Sequence, residues 1–105
     1  MPGTIIWNAS FVPSNGKVSA EIYDKEGMAV QSKRVGCRPP VNCEVVMDNV
    51  EPGEYTAALA VGSDRYYYVE GQAIITRAND LTNASPVEVA NMDQEVLINI
   101  YVNII

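Results

Sequence analysis

The segment DNVEPGEYTAALAV, residues 48–61, predicts the fold more directly than any other part of the chain. Pro52 presets φ at about −65° and Gly53 can adopt a positive φ, so we expect a type II turn at this pair. From Tyr55 to Val61 alternate positions can share one buried face of a β-strand. A tyrosine directly after the turn can bury its ring and donate its hydroxyl to a turn carbonyl, as in the tyrosine corner of β-sandwiches. The segment therefore predicts a corner between two sheets.

The same period of two recurs along most of the chain, whereas a helical period is not sustained over any window. Short strands separated by turn residues every 8–12 positions or so are typical of a sandwich or barrel. We therefore expect one all-β domain over residues 1–105, an antiparallel β-sandwich of seven or eight strands of immunoglobulin-like or prealbumin-like type. A parallel pair would arise if the first and last strands meet. The expected strands are 4–12, 17–24, 28–35, 43–48, 54–61, 65–69, 72–76, 87–90 and 95–103, with 65–76 as two strands or one strand with a bulge at Gly71.

Apolar side chains assign an inner face to each expected strand, because side chains alternate between the two faces of a sheet. In the third strand Met28 and Val30 are expected to face the core, and the charged residues after them suit a sheet edge. The inner positions elsewhere are Ile5, Trp7, Ala9, Phe11, Val18, Ala20, Ile22, Val45, Met47, Tyr55, Ala57, Leu59, Val61, Val87, Val89, Val96, Ile98, Ile100 and Val102.

Two turn motifs carry a family resemblance. Part of the chain resembles the prealbumin-like sandwiches in the order of its turns and strands. The order is the turn Asp24-Lys25-Glu26-Gly27, a strand, the strand over 43–47 and then Val50-Glu51-Pro52-Gly53-Glu54-Tyr55. That group includes carboxypeptidase regulatory-like domains and the B-type repeats of collagen adhesins. The resemblance covers roughly residues 17–61, and it implies a fold rather than a function.

Composition excludes several classes of function. The 105 residues carry a net charge of −6 and no histidine. An acidic chain is unsuited to a nucleic-acid backbone, and without histidine the usual acid–base and metal sites lack their commonest group. We find no catalytic constellation, no metal ligand set and no cofactor motif, and we expect a protein that is not an enzyme. No apolar run approaches the ~20 residues of a membrane-spanning helix, and the first residues do not resemble a signal peptide.

The two cysteines, Cys37 and Cys43, bracket a loop that contains Arg38, Pro39 and Pro40. We expect a disulfide between them, which would contribute on the order of 2–3 kcal/mol by closing a short loop. A disulfide would indicate an oxidising compartment: extracellular, cell-surface or periplasmic. A rigid loop with Arg38 could also insert into a protease as an inhibitor.

Three consecutive tyrosines, Tyr66, Tyr67 and Tyr68, form the remaining candidate site. On a strand Tyr66 and Tyr68 share one face and Tyr67 takes the other. An exposed tyrosine offers a sugar ring or a partner protein a large rigid contact area, whereas a buried one would only fill the core.

Together these patterns predict a non-catalytic binding or adhesion module of a secreted or surface assembly, whose partner is a protein or a glycan. Three alternatives stay open: a carbohydrate-binding module that uses the tyrosines, a structural subunit of a fibre or virion, and a loop-type protease inhibitor. Nucleic acid and membrane insertion are not expected, and a homo-oligomer could form through edge strands.

Overall fold

Two β-sheets pack face to face in the computed structural model, which describes residues 3–10, 17–36, 43–90 and 96–104. The strands of these residues are β1 (Gly3–Ser10), β2 (Lys17–Tyr23), β3 (Ala29–Gly36), β4 (Cys43–Val50), β5 (Gly53–Val61), β6 (Asp64–Tyr67), β7 (Pro86–Val89) and β8 (Val96–Asn103), with a short 3-10 helix at Leu81–Asn83. In the described part of the chain no helix is long and apolar enough to cross a membrane.

The sheets have three and five strands. In the first, β1 lies between β4, which is antiparallel to it, and β8, which is parallel to it. The second has the order β3-β2-β5-β6, and β7 pairs with β5 beyond the end of β6. The predicted all-β sandwich is confirmed, and the parallel pair arises because the first and last strands meet.

The core lies between the sheets and is built from the predicted inner positions. Trp7 is fully buried at its centre, and Val96 and Ile98 are half-buried at the start of β8. Phe11 lies outside the described residues. The buried members of the predicted set are Ile5, Trp7, Ala9, Val18, Ala20, Ile22, Val45, Met47, Tyr55, Ala57, Leu59, Val61, Val87, Val89, Ile100 and Val102.

The inner face predicted for β3 is wrong. Met28 is 66% exposed and Val30 is 50% exposed. Ile22 pairs with Gln31 while Tyr23 pairs with Ala29, so Val30 is an extra residue in a β-bulge. The residues that share the face of the β2 core residues are instead Gln31, Lys33 and Val35, because cross-strand partners lie on the same side of a sheet. An inward lysine on an edge strand disfavours pairing with another strand.

The turn before β5 forms a tyrosine corner, as predicted. Tyr55 is buried, and its hydroxyl donates to the Glu51 carbonyl at 2.5 Å. The prediction that Gly53 adopts a positive φ in a type II turn is wrong. The glycines with positive φ in the described residues are Gly27, Gly62 and Gly71. A Cβ atom on Gly53 would lie 3.2 Å from the Tyr55 hydroxyl, so glycine here makes room for the ring.

The positive φ near this turn belongs to Asn49, at 57°. Gly3 pairs with Val50 and Ile5 with Met47, so β4 contains one residue more than β1 over this interval. Asparagine is among the residues that adopt this left-handed conformation most readily, which suits it to the bulge. The Gln31 side chain donates to the Asp48 carbonyl at 2.8 Å, which joins β3 of one sheet to β4 of the other.

The strand predicted over 72–76 is absent from the structure. Ile75 alone makes a bridge, with its N–H donating to the Tyr101 carbonyl and its carbonyl accepting from Asn103 N–H. The connection from β6 to β7 thus leaves the five-stranded sheet, pairs at Ile75 with the edge strand β8 of the three-stranded sheet, and returns to the five-stranded sheet. Gly71, the predicted bulge, lies in a turn instead.

Candidate functional site

The three consecutive tyrosines divide between the core and the surface. Tyr66 is buried, and Tyr68 is partly buried against the core. Tyr67 lies on the opposite face and is partly exposed. Of the other predicted site residues, Cys43 is buried at the start of β4, and Cys37 and Arg38 lie outside the described residues. Tyr67 is therefore the candidate around which a site can be described.

The outer face of the five-stranded sheet gives Tyr67 its neighbours. Ala58 pairs with Glu21 on one side and with Tyr67 on the other, so the three form a row across β2, β5 and β6. Ala58 is fully buried although it points away from the core. Since its own side chain is only a methyl group, the longer side chains beside it must cover it. Small residues in the central strand thus make a floor between taller polar and aromatic side chains.

An ion pair crosses this floor. Arg65 Nη1 lies 3.6 Å from Glu21 Oε1, and the Arg65 side chain is 40% exposed. That oxygen is buried and has no hydrogen-bond partner. Burial, and after it the Glu21 carboxylate, raises the pKa of the nearby Tyr23 hydroxyl. The pair holds the arginine close to the sheet while part of its guanidinium still meets solvent.

Asn79 fixes the edge of the site beside Tyr67. Its side-chain oxygen accepts from Tyr67 N–H at 2.7 Å, and its side-chain nitrogen donates to the Tyr67 carbonyl at 3.0 Å. Its own N–H donates to the Arg65 carbonyl at 3.1 Å. The Asn79 side chain therefore satisfies the backbone N–H and carbonyl of Tyr67, as a neighbouring strand would. Asn79 also holds Tyr67 and Arg65 in place from the side.

Two depressions meet at Arg65. The first has a volume of about 680 Å³ and is lined by Tyr67, Arg77, Asn79 and Asp80, among others. The second has a volume of about 360 Å³ and lies over Ala60 between Arg34, Ser19 and Arg65. Both are lined by polar groups that can donate or accept hydrogen bonds.

A third depression, of about 390 Å³, lies on the other sheet near Tyr101, Ile74 and Cys43. Ser10 and Cys43, which line it, adjoin segments 11–16 and 37–42, outside the described residues. Its surroundings are therefore described only in part, and we place the candidate site on the five-stranded sheet.

The side chains of this face set what it can do chemically. Within the described residues no group of three or more acidic, cysteine or histidine side chains could hold a metal ion. What converges is an aromatic ring, guanidinium groups, a carboxylate and amides, which can stack on a ring and exchange hydrogen bonds with hydroxyl or carboxylate groups.

Arg65, Glu21, Tyr23 and Asn79 were not singled out from the sequence. A local signal existed for Arg65, because residues 65 and 67 must share a strand face. Glu21 and Asn79 could not be found in this way, because their positions depend on pairing between distant segments.

Comparison with family models, with curated proteins and with solved structures gave no match to this chain.

Proposed function

We propose that this protein is a non-catalytic binding module that holds its ligand on the outer face of the five-stranded sheet. The observation that carries the proposal is the outward position of Tyr67, in a polar depression whose edge is set by Asn79. Two hydrogen bonds from the Asn79 side chain hold the backbone that carries the Tyr67 ring, so little backbone conformational entropy is lost when a ligand contacts this residue.

A glycan is the ligand class that the surroundings of Tyr67 favour. Sugars offer apolar ring faces that stack on aromatic side chains, and hydroxyl groups that pair with planar polar groups such as Arg77, Asn79 and Asp80. A protein partner would use the same ring as an amphipathic anchor.

A glycan array with wild-type protein and two variants tests this proposal. We expect binding that Tyr67→Ala abolishes and that Tyr101→Ala leaves unchanged, since Tyr101 is equally aromatic, 50% exposed, and on the other sheet. A silent array would refute the glycan ligand. Equal loss in both variants would refute the site.

We also propose the disulfide between Cys37 and Cys43, and with it an extracellular, cell-surface or periplasmic location. Cys43 is buried where β4 begins, so a bridge there would brace the entry to a core strand. In denaturant the untreated protein should show no reactive thiol, and the reduced protein two. Two thiols before reduction would contradict both proposals.

The prealbumin-like relationship and the other two roles, protease inhibitor and structural subunit, stay predictions. Inhibition through Arg38 is tested by adding the protein to a trypsin-like protease, and assembly through edge strands by light scattering at increasing concentration.

A further inference from the structure

Two arginines face each other across the outer surface of the five-stranded sheet in a chain whose net charge is −6. The pairing register runs from Arg34 to Ser19, from Ser19 to Ala60 and from Ala60 to Arg65, so the four residues form one row across β3, β2, β5 and β6. We propose that this row is a carboxylate subsite and that the ligand of the module is an acidic polysaccharide containing uronic acid. The inference rests on the proposed function and names the ligand class of the same site.

The geometry of the row suits one sugar residue. Neighbouring strands are about 4.8 Å apart, so the ends of the row are separated by roughly three such steps. Serine and alanine between them leave a depression of about 360 Å³. Pockets for small ligands begin at about 300 Å³, and this one is open at the surface as a site for part of a polymer must be.

The charges of the row leave it positive. Two guanidinium groups against the single carboxylate of Glu21 leave one net positive charge. Arg65 already contacts Glu21, while Arg34 has no carboxylate within 4.0 Å among the described residues. A guanidinium presents a planar fork that matches the two oxygens of a carboxylate, so a uronate can take the place that no side chain of the described residues fills.

The row continues into the depression around Tyr67. Arg65 lines both depressions, and Arg65 and Tyr67 share a face because they are two residues apart on β6. A polysaccharide can therefore lay one ring on Tyr67 and place the carboxylate of another between Arg65 and Arg34.

An acidic peptide would satisfy the arginines but not the rest of this surface. A bound peptide usually adds a strand to a free sheet edge through its backbone. Ser19 and Ala60 lie on strands paired on both sides at these positions, so their backbone groups are already used. The observations favour the polysaccharide, and the peptide becomes an outcome of the test.

Calorimetric titration with matched ligands tests the inference. The probes are oligosaccharides of polygalacturonate, alginate and hyaluronan, each beside its carboxyl-reduced counterpart, with a chelator present to remove calcium. We expect at least one acidic oligosaccharide to bind and its reduced form to bind at least about tenfold more weakly, as for the loss of a hydrogen bond to a charged group. Poly-glutamate is the peptide probe.

The variants are Arg34→Gln and Arg65→Gln, with Lys33→Gln as the control. Lys33 neighbours Arg34 on the exposed edge strand but faces the other side of the sheet, so its loss changes the net charge equally without touching the row. Each arginine variant should weaken binding about tenfold, and the control should match wild type in affinity.

The outcomes separate the two proposals. Equal binding of acidic and reduced oligosaccharides, with loss only in Tyr67→Ala, would overturn the carboxylate subsite and leave the binding module standing. Binding of poly-glutamate alone would overturn the polysaccharide in favour of a peptide. If no acidic probe binds, the carboxylate subsite is overturned. The broader proposal of a glycan ligand is overturned only if the glycan array is silent as well. Since Arg34 is exposed, Arg34→Gln should fold, and it keeps the test decisive if Arg65→Gln does not.

Discussion

Replacing Tyr55 with phenylalanine removes a single hydroxyl group from the corner between the sheets. That hydroxyl donates to the Glu51 carbonyl at 2.5 Å, while the ring stays buried. A hydrogen bond of this kind contributes about 0.5–1.5 kcal/mol net to the free energy of unfolding. Glu51 is exposed, so water can reach its carbonyl in the variant. We therefore expect a loss of about 1 kcal/mol, equivalent to a Tm lower by about 4 °C for a domain of this size.

Gly53→Ala tests the same corner from the other side. The new Cβ would lie 3.2 Å from the Tyr55 hydroxyl oxygen and 3.3 Å from the ring carbon that bears it. The ring must shift, which disturbs the hydrogen bond to Glu51. This loss outweighs the ~0.4–1 kcal/mol that alanine gains over glycine by restricting the unfolded chain. In a Tyr55→Phe background the hydroxyl contact is gone and the 3.3 Å contact with the ring carbon remains, so Gly53→Ala should destabilise the protein less than it does in the wild type.

The assay is a double-mutant cycle by urea denaturation of wild type, both single variants and the double variant. We expect a coupling free energy of about 1 kcal/mol between the two positions. Tyr101→Phe is the control, because Tyr101 is half-exposed on the outer face of the other sheet and should change stability by less than about 0.5 kcal/mol. Equal effects of Gly53→Ala in both backgrounds would refute the assignment of this glycine to ring clearance.

Three further predictions follow from local geometry. Asn49→Val should cost about 1–2 kcal/mol in denaturant unfolding because Asn49 is left-handed, whereas Asn49→Gly should be neutral; equal losses would exclude backbone strain. Asn79→Ala removes two hydrogen bonds to the Tyr67 backbone and should cost about 1–3 kcal/mol, with faster hydrogen exchange at that amide; unchanged exchange would contradict it. Burial raises the pKa of Tyr23, Tyr55 and Tyr66. The contribution of these tyrosines to stability should therefore be complete below the unfolded pKa of about 10 and fall as pH rises above it; an ultraviolet titration in which every tyrosine ionises together near 10 would rule this out.

Period-two patterning predicted most strands and their inner faces, because hydrophobic burial on one side of a strand is a local property. It failed at β3, where Val30 is a bulge residue and the register, not the apolar pattern, decides which side chains turn inward. It failed again over 72–76, where backbone hydrogen bonds to β8 are made only at Ile75. Both errors concern pairing, which a short sequence window does not contain.

Only part of the candidate site could be predicted from the sequence. The alternation of the tyrosines indicated that one of the three would lie apart, and Tyr67 does. The partners that give this ring a chemical setting come from distant segments: Glu21 from β2 and Asn79 from the long connection after β6. Gly53 shows a related limit, since a glycine needed for ring clearance has the same sequence signature as one needed for a turn.

The parallel pairing of β1 with β8 has a mechanical consequence. The chain enters the pair at Gly3 and leaves it at Asn103, at opposite ends of the two strands. Tension applied through these two points would pull the strands lengthwise past each other, so the hydrogen bonds between them would share the load and fail together. The same number of bonds pulled apart from one end would break one after another under a smaller force. A module anchored at both ends of its chain would therefore resist stretching at the seam between its first and last strands.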